Sequence, residues 1–291
     1  MAGLTRSTDV DHGLTGLDHV IVGVRDLEAA RAQYARLGFN STPHGRHVGW
    51  GTANYCIMFP DDYVELLGIV DPTQFTNDLD RFLADREGLQ GLALGSADLD
   101  ATRETWLAAG LEPAQPRALG RLLEAEGDTV ELRFRNLMLP RASTAGISVF
   151  ALEHLTPEPM RRPAWLAHPN GAVAIRSCTI CASDTAPAAD VLRRLFGAAA
   201  IIDTDNVIAA HTGHGVIMLA PPEDAQLIYP LLDLPEHIAE PRLVAMSITV
   251  IDPDRASAFL RLQGVPFQRD PSGAVLIPPA EAHGLALELA A

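Results

Sequence analysis

Apolar stretches of strand length alternate with amphipathic stretches along this 291-residue chain, and the alternation recurs four times. "LDHVIVGV" is a β-branched run. After it, "VRDLEAARAQYARLGF" turns amphipathic at Asp26 and stops at Gly38. "SADLDATRETWLAAGLEP" repeats that unit from Asp98 to Gly110. "ASDTAPAADVLRRLFGA" repeats it from Asp184 to Gly197, and "VIDPDRASAFLRLQGVPF" from Asp252 to Gly264. The aspartate is a natural N-cap, its carboxylate accepting from an orphan backbone amide, and the glycine a natural C′ residue. Each helix is followed by two strand-like runs. They are "GTANYCIMF" and "DDYVELLGI", "VELRFRNLML" and "GISVFALEHL", "DNVIAAH" and "GVIMLAP", "AVLIPP" and "GLALELA". The pattern predicts an α+β protein of four β-α-β-β-β modules.

Thr156 to Ala172, "TPEPMRRPAWLAHPNGA", is proline-rich and without period, so it reads as a linker. It divides residues 15–155, carrying modules 1 and 2, from residues 173–291, carrying modules 3 and 4. Residues 1–14 read as a disordered lead-in. A net charge of −15 and a pI near 5.0 argue against nucleic acid or an anionic membrane as partner. All 22 basic residues are arginine, which excludes chemistry that needs a lysine side chain. No apolar run reaches the ~18–20 residues of a membrane span, no secretory signal is evident, and the cytoplasm is the expected compartment. Cys56, Cys178 and Cys181 form an odd, sparse set that fits a reducing compartment. The C-x-x-C spacing of the last two puts them on opposite faces of a strand, as core residues rather than a redox pair.

The runs "LDHVIVGVRDLEAA", "GRHVGWGTANY" and "YVELLGI", set in these repeats, resemble the vicinal oxygen chelate superfamily. Its members include glyoxalase I, extradiol dioxygenases, fosfomycin-resistance proteins and bleomycin-binding proteins. The closer likeness is to the glyoxalase-like branch, over roughly Leu17 to Ala172. The resemblance implies two paired-module domains, each a cup-shaped mixed sheet, with a divalent metal on an inner wall. In that family the ligands lie on the first and last strands of each module. By offset from the cap aspartates, His19 matches Gly91, Ser177 and Ala245. "VELL", "LEHL", "IMLA" and "LELA" align Glu65, Glu153, Met218 and Glu288. The metal ligands implied for the N-terminal cup are therefore His19, Glu65 and Glu153.

Imidazole with two carboxylates suits Fe, Mn, Ni, Co or Zn as the divalent ion. By the glyoxalase pattern a metal-bound glutamate doubles as the base, Glu153 first and Glu65 second. His154 follows Glu153 on the other face of an ideal strand. A bulge turning it inward would give a two-histidine, one-carboxylate set that favours Fe²⁺ and oxygen chemistry. His47, Trp50 and Asn54 on the glycine-rich loop, with Tyr63 and His154, are the candidate substrate contacts. The structural alternative for this loop is a glycine turn whose Trp caps the core. His168 and Asn170 are candidates for closing the mouth of the cup. The expected function is that of a metal-dependent lyase or isomerase on a small hydroxycarbonyl or vicinal-oxygen substrate. The alternatives are an oxygen-dependent dioxygenase and a metal-free binding protein of the bleomycin-resistance kind. The C-terminal pair, lacking ligands, reads as a structural copy that covers the first or extends a homodimer surface.

Overall fold

The computed structural model describes residues 13–125 and 128–291; residues 1–12 of the expected lead-in lie outside the described residues. The first half runs β1 (Leu14–Gly23), α1 (Leu27–Arg36), β2 (Gly45–His47), β3 (Thr52–Met58), β4 (Tyr63–Ile69), α2 (Leu79–Asp85), β5 (Gly88–Ser96), α3 (Leu99–Ala108), β6 (Arg117–Ala125), β7 (Asp128–Met138) and β8 (Val149–His154). A short α4 (Pro163–Leu166) lies in the connecting segment. The second half runs β9 (Ala172–Cys181), α5 (Ala186–Phe196), β10 (Ile201–Thr204), β11 (Val207–His211), β12 (Val216–Ala220), α6 (Pro222–Ile228), β13 (Arg242–Val250), α7 (Pro253–Leu262), β14 (Gln268–Arg269), β15 (Val275–Ile277) and β16 (Ala286–Ala290).

The repeated helix ends form as the pattern requires. Asp26 accepts from the Ala29 amide, Asp98 from Asp100 and Ala101, and Asp252 from Asp254. Asp184 accepts from the Ala186 amide at 3.1 Å but stands one residue outside the cap of α5, which falls on Thr185. Gly38, Gly110, Gly197 and Gly264 all take positive φ, between +65° and +89°, where a side chain would be strained.

Two eight-stranded mixed sheets result. The first is closed into a barrel, in the order β1-β4-β3-β2-β6-β7-β8-β5; the second stays open, in the order β10-β11-β12-β9-β13-β16-β15-β14. Closure of the first depends on a three-residue strand. β2 pairs with β3 of its own module and with β6 of the next, placing His47 opposite Arg121. On the other seam β1 runs antiparallel to β5. The expected cup is therefore a closed barrel in the N-terminal half and an open sheet in the C-terminal half.

The sheets divide between His154 and Ala172, but the hydrophobic core does not. One contiguous cluster of buried side chains runs from Leu17, Val20 and Trp106 in the first half to Ile180, Ile248 and Leu289 in the second. The connecting segment is likewise fixed. His168 accepts from the Asn40 amide at 3.0 Å and donates to the Met58 carbonyl at 2.9 Å. Asn170, fully buried, donates to the Leu37 carbonyl at 3.0 Å and so finishes α1 from outside. The expectation that His168 and Asn170 close the mouth of the cup is corrected: both are pinned behind the barrel wall. Cys178 and Cys181 are buried, reduced and in separate apolar clusters, on opposite faces of β9. No helix among the described residues is long and apolar enough to cross a membrane.

Candidate functional site in the N-terminal barrel

The barrel encloses a cavity of about 900 Å³, mouth included, whose wall is mostly apolar. Strand alternation decides what lines it. His19 and Ile21 of β1, Tyr63, Glu65 and Leu67 of β4, and Phe150, Leu152 and His154 of β8 point inward, with His47 from β2 and Arg121 from β6. Trp50 stands at the rim, edge-on to the exposed Phe75 with ring centres 5.0 Å apart.

A row of polar groups crosses this wall, joined by hydrogen bonds and by two longer imidazole–carboxylate approaches. Asp18 begins it. A bulge in the β1–β5 ladder between Leu17 and His19 turns Asp18 into the buried interior. Asp18 Oδ1 accepts from His19 Nδ1 at 2.7 Å, and Oδ2 accepts from His154 Nε2 at 3.1 Å. Burial works to raise the Asp18 pKa, but the bonds from His154 and His19 outweigh it and hold the carboxyl far below the usual range. With Nδ1–H given to Asp18, the other ring nitrogen, Nε2, faces Glu65 Oε2, 3.7 Å away. The ring is held flat against Tyr63, centroids 4.3 Å apart.

Glu65 is 5% exposed and central. Its Oε1 accepts from Asn54 Nδ2 and lies 3.7 Å from His47 Nε2. Burial would raise its pKa, but His47, His19, Arg121 and Asn54 together hold it below the ordinary glutamate value. His47 shifts down, chiefly through burial, and its Nδ1 is tied to Thr52 Oγ1 at 2.9 Å. Tyr63 is kept protonated by burial and by the nearby Asp18 charge.

The structure brings together His19, Glu65, His47, Tyr63 and His154, with Trp50 at the rim. It does not bring Glu153 with them. Glu153 faces out, its carboxylate 3.0 Å from Arg135 NH1, and the same guanidinium reaches Asp100 at 2.9 Å. Phe150, Leu152 and His154 take the inward positions of that strand, so Glu153 has the wrong parity. The ladder registers explain the error. His19 pairs with Ala93 and Ile21 with Gly91, so a two-fold relates 19 to 91 and 21 to 93, both separated by 72. Ile21 pairs with Glu65 and Ala93 with Phe150, so the true mate of Glu65 is Phe150. The aligned "VELL" and "LEHL" were three residues out of phase. Asn54, expected against substrate, is fully buried behind Glu65 and positions it instead.

Asp18, behind the cavity wall, and Arg121, on it, had no part in the sequence reading. Asp18 had a signal, a carboxylate beside a strand histidine, but ideal alternation places it outside. Arg121 lies on β6, a strand the pattern left unassigned, and is 3% exposed.

Donor chemistry here fits a divalent cation. His19 and His47 are each tied back through Nδ1, by Asp18 and Thr52, and each offers Nε2 to the carboxylate between them, an arrangement typical of metal-ligating imidazoles. The mates Gly91 and Phe150 supply no donor, which leaves the opposite side open. The donors stand as a row, and among the described residues no three His, Cys, Asp or Glu are gathered into a ready metal cluster.

A barrel of two β-α-β-β-β modules with donors on its inner strands is the paired-module fold of the vicinal oxygen chelate superfamily. Within it the chain belongs to the glyoxalase-like domain family, whose model matches residues 17–196, past the linker and into α5. No curated protein matches the sequence. Among solved structures, a hypothetical protein from Staphylococcus aureus superposes with a TM-score of 0.67 at 12% identity, covering 94% of this chain and 98% of that one. A xylose isomerase-like TIM barrel/4-hydroxyphenylpyruvate dioxygenase fusion protein gives 0.60 at 14% identity, covering 95% of this chain and 48% of that one. A mutant of 4-hydroxymandelate synthase from Streptomyces coelicolor gives 0.57 at 15% identity, covering 95% and 92%. At these identities the likeness is one of fold.

Proposed function

We propose that the barrel cavity is the active site of a glyoxalase-like lyase or isomerase acting on a small hydroxycarbonyl compound, with Glu65 as its base. The observation that carries this is a carboxylate held ionised at the wall of an apolar cavity by two imidazoles and a guanidinium. Oε2, the oxygen that Asn54 leaves free, takes the proton from carbon beside the carbonyl. The Tyr63 hydroxyl donates to a substrate oxygen, and the apolar wall with Trp50 keeps water out. His19, Glu65 and His47 would hold a divalent ion (Fe, Mn, Ni, Co or Zn), which when bound supplies a Lewis acid for the carbonyl oxygen. Glu153 has no role in this scheme.

Two imidazoles and one carboxylate also suit ferrous iron and oxygen-dependent chemistry. The donor set supports that second reading, and the names of two structural neighbours lend to it. Metal analysis of protein purified without chelator tests both. Stoichiometric metal in the wild type, lost in His19→Ala and Glu65→Gln, is the expected result, and oxygen uptake by the iron-loaded protein separates the two chemistries. A wild type that binds no added divalent ion, with small-ligand affinity unchanged in both variants, would reduce the cavity to a binding site.

A further inference from the structure

Arg121 is a buried cation that touches no carboxylate among the described residues; Glu65, whose charge it helps to hold, stays beyond ion-pair distance. Its guanidinium lies inside the barrel, and its one hydrogen bond to another described residue runs from NH1 to Cys56 Sγ at 2.8 Å. Cys56 is no counter-charge, because burial raises its thiol to about 11. Among the described residues no carboxylate oxygen lies within 4.0 Å of the guanidinium. A guanidinium carries five N–H donors in a planar fork suited to a carboxylate. Buried cations are normally paired, because desolvation is costly. The wall around it is apolar, with Leu132, Phe134 and Met160 among its neighbours in the cavity.

We propose that Arg121 makes this cavity a receptor for an organic carboxylate: a small acid whose apolar body lies on the Leu132, Phe134 and Met160 side and whose carboxylate takes the free N–H groups of the fork. Glu65 and Arg121 line the same cavity, so an acid held by the fork lies in the same space as the base. This rests on the cavity being the substrate site, and it names the substrate class: a carbonyl compound that also carries a carboxylate. It requires no metal.

The test compares phenylacetate with phenylacetamide, two probes of nearly equal shape, by titration calorimetry on the full chain. Wild type is expected to prefer the acid by at least tenfold, as charge-assisted bonds are about twice as strong as neutral ones. Arg121→Met should erase the preference, and phenylacetate should raise the Tm of wild type but not of the variant. Arg121→Lys keeps the charge without the fork and should weaken the acid roughly tenfold while leaving the amide unchanged. It also serves if Arg121→Met does not fold. Glu65→Gln should keep or strengthen acid binding, so loss of the proposed base and loss of this site read out separately. Repeating the titrations in chelator removes any contribution of a bound ion. Equal affinity for acid and amide in wild type, or a preference that survives Arg121→Met or is unchanged in Arg121→Lys, would overturn the assignment.

Discussion

Asp18 shows at the scale of one residue how the site is built from behind. It reaches no cavity itself, yet it fixes the tautomer of His19 and holds His154 with its other oxygen. Removing it leaves the buried His19 and the half-buried His154 without this acceptor. Asp18→Ala is expected to cost roughly 3–5 kcal/mol, the usual loss on breaking a buried charged pair, measured by urea denaturation at pH 7. Asp18→Asn keeps the shape and should fold, but with divalent-ion affinity down about 10–100-fold, as for other residues that orient a ligating histidine. Affinity equal to wild type would leave Asp18 a purely structural residue. His19 and Glu65 were legible in the sequence because each is a lone polar group in an apolar strand, which requires a partner. Asp18 was not, because a one-residue bulge has no signature in an alternation pattern.

Elements were read more surely than their registers. All four helix starts and stops stand where cap chemistry puts them, apart from the one-residue offset at Asp184. Glu153 failed because a strand segment resembling another in letters need not match it in phase, and one step of phase reverses the face. β6 was missed because "RALGRLLEA" alternates weakly and follows directly on Pro113 and Pro116, which read as a loop. The loop carrying Trp50 depends on one close approach that sequence reading cannot show. Gly51 donates to the Phe75 carbonyl at 2.9 Å and accepts from Val70 and Asp71 at 2.9 and 3.1 Å. A Cβ there would stand 2.0 Å from the Asp71 carbonyl oxygen. Gly51→Ala must push this loop off the 70–75 segment, at a cost of roughly 1–3 kcal/mol. The urea midpoint should fall and acrylamide quenching of tryptophan fluorescence should rise, as Trp50 loses its seat on Phe75. An unchanged quenching curve would show that the rim does not depend on this contact.

Across the whole molecule the sheets divide between His154 and Ala172, but the two halves share one core and a polar lock. Asp62, in the turn between β3 and β4, is fully buried. Both its oxygens accept from the Ile175 amide at 3.1 Å, at the start of the second sheet, and Oδ2 also accepts from His214 Nε2. Turn chemistry made "PDD" legible as a turn, but a partner more than a hundred residues away in sequence leaves no local trace. The hydrogen bond to Asp62 raises the His214 pKa above its ordinary value of 6.5. A histidine whose folded pKa is raised contributes stability that is fully present below the unfolded value and is lost as pH rises through the folded one. The stability gap between wild type and His214→Gln should therefore be largest near pH 6 and narrow toward pH 8. The change should be about 1 kcal/mol or less, because the imidazole is 34% exposed and screened. Asp62→Ala should cost more at every pH, since it strands the Ile175 amide in the shared core as well. Urea titrations of the three proteins at pH 6, 7 and 8 measure all of this. A gap that widens with pH would mean that His214 is held neutral, and that the halves are joined by the amide bonds alone.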